Sequence, residues 1–188
     1  MRKVKKVKTA ALQIEINTPS WRGMRGLRAY LTRVAQLTLE RLPKKFRPVA
    51  EKATMTLLLT SNKSVQHLNR DYRGLDKPTN VLSFPQFTPR ELTKMGKKTG
   101  GIYMGDIAIA YQYIVVEARK EHKILINHLT HLMIHGILHL FGYDHPTAVM
   151  AVRMEQLEKK LMAELGLPNP YAPLPAKTSS RRIKRSRP

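Results

Sequence analysis

Cysteine is absent from the 188-residue chain, which excludes disulfides and thiolate metal ligands and fits a reducing, cytoplasmic setting. No run of about 18 apolar residues occurs, so no membrane span and no membrane partner are expected. The start, MRKVKKVKTAALQIEIN, is basic but has no unbroken apolar stretch of signal-peptide length, so no signal peptide is expected. Acidic residues are scarce: 13 Asp and Glu stand against 34 Lys and Arg, a net charge of +21. Residues 1–8 carry five of the basic side chains and residues 177–188 six, with no acid in either stretch. Without those eleven, 23 basic residues still face 13 acidic ones. A polyanion is the natural partner of such a surface, because each neutralised phosphate releases condensed counterions. An anionic membrane is a weaker rival, since no basic amphipathic helix with bulky apolar anchors accompanies the charge.

What is present suffices for one folded domain, with 42% hydrophobic residues. Alternation through Ala10, Leu12, Ile14 and Ile16 predicts a strand over 8–16, and Ser20 is placed to cap a helix over about 22–41. Residues 54–60 read as a strand, followed by a short helix through Leu68 to Tyr72 that Ser61 or Ser64 could cap. Turn chemistry at 76–80 leads into a short strand, 81–84, closed by Pro85. Residues 88–100, polar and basic, are expected to form a mobile loop. A strand over 101–110 and helices over 111–121, 124–141 and about 147–165 complete the pattern. Some strand connections are too short for a helical crossover, which argues for an α+β fold, a small mixed sheet packed by helices. The domain is expected over 8–168, after a basic extension at 1–7 and before a disordered Pro-rich, then basic tail at 169–188.

Five of the seven histidines lie between His128 and His145. His135 and His139 are four residues apart, so a helix projects them from one face, one turn apart. Gly142 can end that helix in a left-handed turn, and the chain then returns His145 toward the pair. Three imidazoles converging this way leave the fourth position of a tetrahedral ion open to water. His131, His135 and His139 make a poorer set, because they span about 12 Å of straight helix at 1.5 Å per residue. His128 and His131 are therefore expected in the core or behind the ligands. Ligand type favours one Zn²⁺, although imidazole also suits nickel, copper and iron. The spacing parallels zinc proteases of the His-Glu-x-x-His-x-x-Gly-x-x-His kind, but Gly136 stands where their general-base glutamate would be. Peptide hydrolysis is disfavoured accordingly.

Asp144, beside a ligand, and Asp106, after a glycine in a strand, could each orient an imidazole or relay a proton; each could equally make only local hydrogen bonds. Arg73 is a candidate phosphate clamp through its planar, bidentate guanidinium, or simply a surface arginine.

The run His135-Gly-Ile-Leu-His139-Leu-Phe-Gly-Tyr-Asp-His145 resembles the signature of the YbeY endoribonuclease family, the bacterial rRNA maturation factors. Leu68-Asn-Arg-Asp-Tyr72-Arg73-Gly-Leu-Asp76-Lys-Pro-Thr-Asn80-Val-Leu-Ser-Phe-Pro85 and Met104-Gly-Asp106-Ile resemble the same family. The resemblance covers roughly residues 50–165 and does not reach the basic tails. It implies a metal-dependent endoribonuclease, specific for single strands, acting in 16S rRNA 3′-end maturation and ribosome quality control. The ribosome or its small subunit is then the implied partner. The family's metal histidines carry over onto His135, His139 and His145, and its functional arginine onto Arg73. Pro146-Thr147 departs from the family pattern, which often has an acidic residue there, and this bears on the start of the last helix. The alternative is a non-catalytic RNA- or ribosome-binding assembly factor with a structural zinc site. Such a site would need a fourth protein ligand, for which Asp144 is the candidate.

Overall fold

The computed structural model describes residues 11–172. The first alternating segment forms β1 (Ala11–Ile16), which lies parallel to β2 (Ala53–Thr60). The first helix, α1 (Leu27–Arg41), starts five residues later than the sequence suggests. Ser20 caps nothing; it falls inside a 3₁₀ turn (Pro19–Trp21) that buries Trp21, whose Nε1–H donates to the Thr60 carbonyl at 3.1 Å. Burying that ring outweighs extending the helix backward, and Gly26, with φ 73°, forms the corner into α1.

A short helix, α2 (Arg47–Ala50), precedes β2, and α3 (Asn62–Arg73) follows it. Ser61 is the residue that caps α3, accepting from the Ser64 N–H at 3.3 Å. Then come β3 (Val81–Pro85), α4 (Pro89–Met95), β4 (Ile102–Ala110), α5 (Tyr111–Lys120), α6 (Leu125–Leu140) and α7 (Ala148–Glu164). The segment 88–100 is therefore not simply a loop. Thr88 and Glu91 form a capping box at the start of α4, and Leu92 is buried beneath it. At α7, Thr147 accepts from the Met150 N–H at 3.3 Å, so the Pro146-Thr147 departure supplies an uncharged cap.

The sheet order is β1-β2-β4-β3, with β2 parallel to β4 and β3 antiparallel to β4. This is the expected mixed sheet in an α+β fold. One face packs the larger core, where Leu57, Leu59, Ile107 and Ile109 meet Leu31, Val34, Met133 and Ile137. Val65, Leu82, Ala108 and Ala110 form a smaller core on the other face. A bulge at Met104–Gly105 opposite Met55 keeps both Met104 and Ile107 on the large-core side. The central element, α6, is buried along most of its length.

The expected N-terminal extension and most of the C-terminal tail lie outside the described residues. Residues 169–172, the start of the expected tail, are described. Pro170 is buried, and Tyr171 folds back so that its hydroxyl donates to Glu158 of α7. A buried carboxylate in need of donors is the physical reason. No helix among the described residues is long and apolar enough to cross a membrane.

Candidate metal centre

Residues 138–143 end α6 in a Schellman turn: the Tyr143 N–H donates to Leu138 O (3.0 Å) and the Gly142 N–H to His139 O (2.9 Å). Gly142 has φ 77°, the left-handed conformation that this turn requires. The turn carries His145 back over the last turn of the helix. His135, His139 and His145 each offer a ring nitrogen, and the three nitrogens lie within 4.8 Å of one another. Among the described residues, Asp144 is not part of this group. The Nε2 atoms of His135 and His139 are 3.0 Å apart. Two ligands of a tetrahedral ion at 2.0–2.1 Å would sit about 3.3 Å apart. The His135–His139 pair is thus near ligand spacing, and the group could hold a metal ion with a coordination position left over.

Electrostatics suit that use. Burial pulls the His139 imidazole down to about 4, with the neighbouring His135 and His145 adding to the effect, so it is neutral at pH 7. Neutral imidazole is the form that binds cations. Behind the pair sits Glu158, fully buried on α7, whose Oε1 accepts the Nδ1–H of His135 at 2.8 Å. Burial pushes this carboxyl up, but hydrogen bonds from His131, His135 and Tyr171 and the charge of His131 outweigh it and hold it at about 2.

The histidines line a cleft of about 660 Å³ together with Arg73, Asn80, Ser83 and the Gly142–Asp144 turn. Arg73 is the last residue of α3. Its position is set by Gly74 in the left-handed conformation and by Asn69, which donates to the Lys77 carbonyl at 2.8 Å. Arg70 pairs with Asp71, whereas among the described residues no carboxylate pairs with Arg73. Two carboxylates reach the cleft wall, and both make local bonds. Glu91 accepts from Thr88 at 2.8 Å, and Asp144 accepts the His145 N–H at 2.8 Å.

Residues 25–166 match the family described as Endoribonuclease YbeY. The chain belongs to the YbeY endoribonuclease family. A relative named Endoribonuclease YbeY from Allorhizobium ampelinum is 41% identical over 167 residues, 88% of this chain and 97% of that one. Its namesake from Sinorhizobium medicae is 40% identical over 168 residues, covering 87% and 96% of the two chains. One from Nitrobacter hamburgensis is 49% identical over 121 residues, 64% of this chain and 63% of its own length.

In this YbeY chain the other sequence candidates separate cleanly. Asp106 is on the opposite face of β4 from Ile107, accepts from the Tyr103 hydroxyl, and does not line the cleft. Asp144 stabilises its own turn. His128 and His131 are buried as expected, held by Glu117 at 2.7 Å and Glu158 at 3.0 Å. Glu158 itself escapes the sequence reading. It lies 23 residues beyond His135, and its only local signal is an acid on the inward face of α7.

Gly136 has a spatial explanation. A Cβ there would lie 2.9 Å from Ile107 Cγ2 and 3.2 Å from Ser83 Oγ. That side of α6 is packed against Ile107 and Ser83, so a side chain at 136 would have to displace both. Gly136→Ala should destabilise the fold: overpacking costs about 1–3 kcal/mol against at most about 1 kcal/mol of improved helix propensity. Urea unfolding of the metal-free protein measures this; equal or greater stability would show that α6 can lift without cost.

Proposed function

We propose that this chain is a metal-dependent endoribonuclease cleaving single-stranded RNA, with one Zn²⁺ held by His135, His139 and His145 and Arg73 as the catalytic phosphate clamp. The observation carrying this reading is that a three-histidine group and an arginine that, among the described residues, pairs with no carboxylate line the same cleft of a YbeY chain. Zn²⁺ bound there would supply acidification of water and polarisation of a phosphoryl oxygen. The chain's own residues do the rest. Arg73 presents a planar fork to the phosphate oxygens as charge builds on them. His135 and His139, partly buried, offer ring nitrogens from a rigid helix, and the turn at Gly142 brings in His145. The cleft has the dimensions of a small-molecule site, which admits one strand's backbone more readily than an A-form duplex.

The strand has a route onward. A second groove of about 510 Å³ shares Gly142, Tyr143 and Asp144 with the cleft and is lined by Lys45, Phe46, Arg153 and Lys160. Cations beside aromatic rings suit a single-stranded polyanion. Arg153→Glu combined with Lys160→Glu should raise KM for RNA about tenfold or more and flatten its salt dependence, with metal content unchanged. An unchanged slope of log KM against log salt would remove this groove from the RNA path.

We place the activity in the cytoplasm, in 16S rRNA 3′-end maturation and ribosome quality control, with the ribosome or its small subunit as partner. The deciding experiment measures bound metal in the purified chain and compares cleavage of single-stranded and duplex RNA. Metal with single-strand cleavage supports the reading. Metal without cleavage of either RNA favours a non-catalytic assembly factor.

A further inference from the structure

We infer that Glu158 and Tyr171 form a positioning relay that fixes which nitrogen of His135 carries its proton, and so how that ring is offered to a cation. The inference rests on the three-histidine reading above, but its components lie outside the cleft: neither Glu158, His131 nor Tyr171 lines it.

Glu158 is fully buried on the face of α7 that meets α6. Its Oε1 faces His135 Nδ1 at 2.8 Å; its Oε2 faces His131 Nε2 at 3.0 Å and also receives the Tyr171 hydroxyl. A carboxylate only accepts hydrogen bonds, so all three partners must donate. For His135 this puts the proton on Nδ1 and leaves the lone pair on Nε2. Nε2 is the atom that faces His139 Nε2 at 3.0 Å. A free imidazole could carry its proton on either nitrogen, and only one choice leaves Nε2 able to bind a cation. The two donors on Oε2 keep the carboxylate from rotating, which aims Oε1 at His135. His131 sits one turn before His135 on α6, so one acid grips two successive turns of the ligand-bearing helix. Tyr171 comes from beyond α7, where Asn169 Oδ1 accepts the Tyr171 N–H at 3.0 Å and sets the turn that delivers the ring.

Glutamine at 158 exposes the logic. Two donors converge on the Oε2 position, so the single amide oxygen belongs there and the NH₂ turns toward His135. Nδ1 must then accept, and the proton moves to Nε2, the nitrogen a cation needs free. Glu158→Gln in the full-length chain should therefore weaken Zn²⁺ binding about 10- to 100-fold in competition with a chromophoric chelator. In the metal-free protein, side-chain ¹⁵N spectra should show His135 switching from the Nδ1–H to the Nε2–H tautomer. Tyr171→Phe keeps the Oε1 bond, so it should retain the Nδ1–H tautomer and weaken Zn²⁺ only several-fold. A folded Glu158→Gln protein with wild-type tautomer and Zn²⁺ affinity within twofold of wild type overturns the relay. Should that variant not fold, unchanged affinity in Tyr171→Phe overturns it instead. Failure of the wild type to bind Zn²⁺ would sink the three-histidine reading, while the His135 tautomer would still decide the relay.

Discussion

Replacing His139 by alanine should remove bound metal and RNA cleavage together. His139 is the middle ligand of the candidate set: its ring centroid lies 4.5 Å from that of His135 and 5.2 Å from that of His145. Without it two nitrogens remain, too few for a tetrahedral site that must also keep one position for water. The loss of affinity should exceed the roughly 10- to 100-fold that follows loss of an outer hydrogen-bonding partner. The fold should survive, because Leu129, Met133, Ile134, Ile137 and Leu138 anchor α6 from its other sides. Metal analysis and cleavage of single-stranded RNA, run beside the wild type, check both halves. Equal cleavage by the two proteins would trace the activity to a contaminating nuclease.

Arg73→Ala should have the complementary result: metal content unchanged and cleavage reduced on the order of 10²–10³-fold, the cost of removing one preorganised charge-stabilising donor. Arg73 stands on α3, separate from the elements that carry the histidines, so its loss leaves the ligand geometry alone. Arg73→Lys separates charge from shape. It retains the cation but not the fork, and should recover only a minor part of the rate. The effect belongs in kcat more than in KM if the contact tightens as charge develops on phosphate. Cleavage at the wild-type rate by Arg73→Ala would end the clamp hypothesis.

The sequence revealed most where the chemistry is local. The helical period placed His135 and His139 on one face, and a single glycine announced the Schellman turn that brings His145 beside them. The first β-strand was legible from alternation, and the short connection at 76–80 from its turn residues. Thr88-Pro-Arg-Glu91 also held a local signal, a capping box, which the polar composition around it obscured. What stayed hidden depends on distant partners. Ser20 looked like a helix cap because nothing nearby reveals that Trp21 will be buried against Thr60, 39 residues away. Glu158 and Tyr171 carry no local signal of their pairing; folding places Glu158 against His131 and His135, and Tyr171 against Glu158. Asp106 looked like a candidate beside the site, and only the sheet shows that it faces the other way.

The contact between position 136 and Ile107 separates two kinds of hydrolase that share a histidine spacing. In a protease, the helix must turn the residue after the first histidine toward the scissile bond. Here that side of the helix is its seat on β4. A carboxylate introduced at 136 would first have to displace Ile107 and Ser83, so the substitution disturbs the packing of α6 before it can offer a base. The same three ligands thus belong to different reactions according to which flank of the helix the fold leaves open.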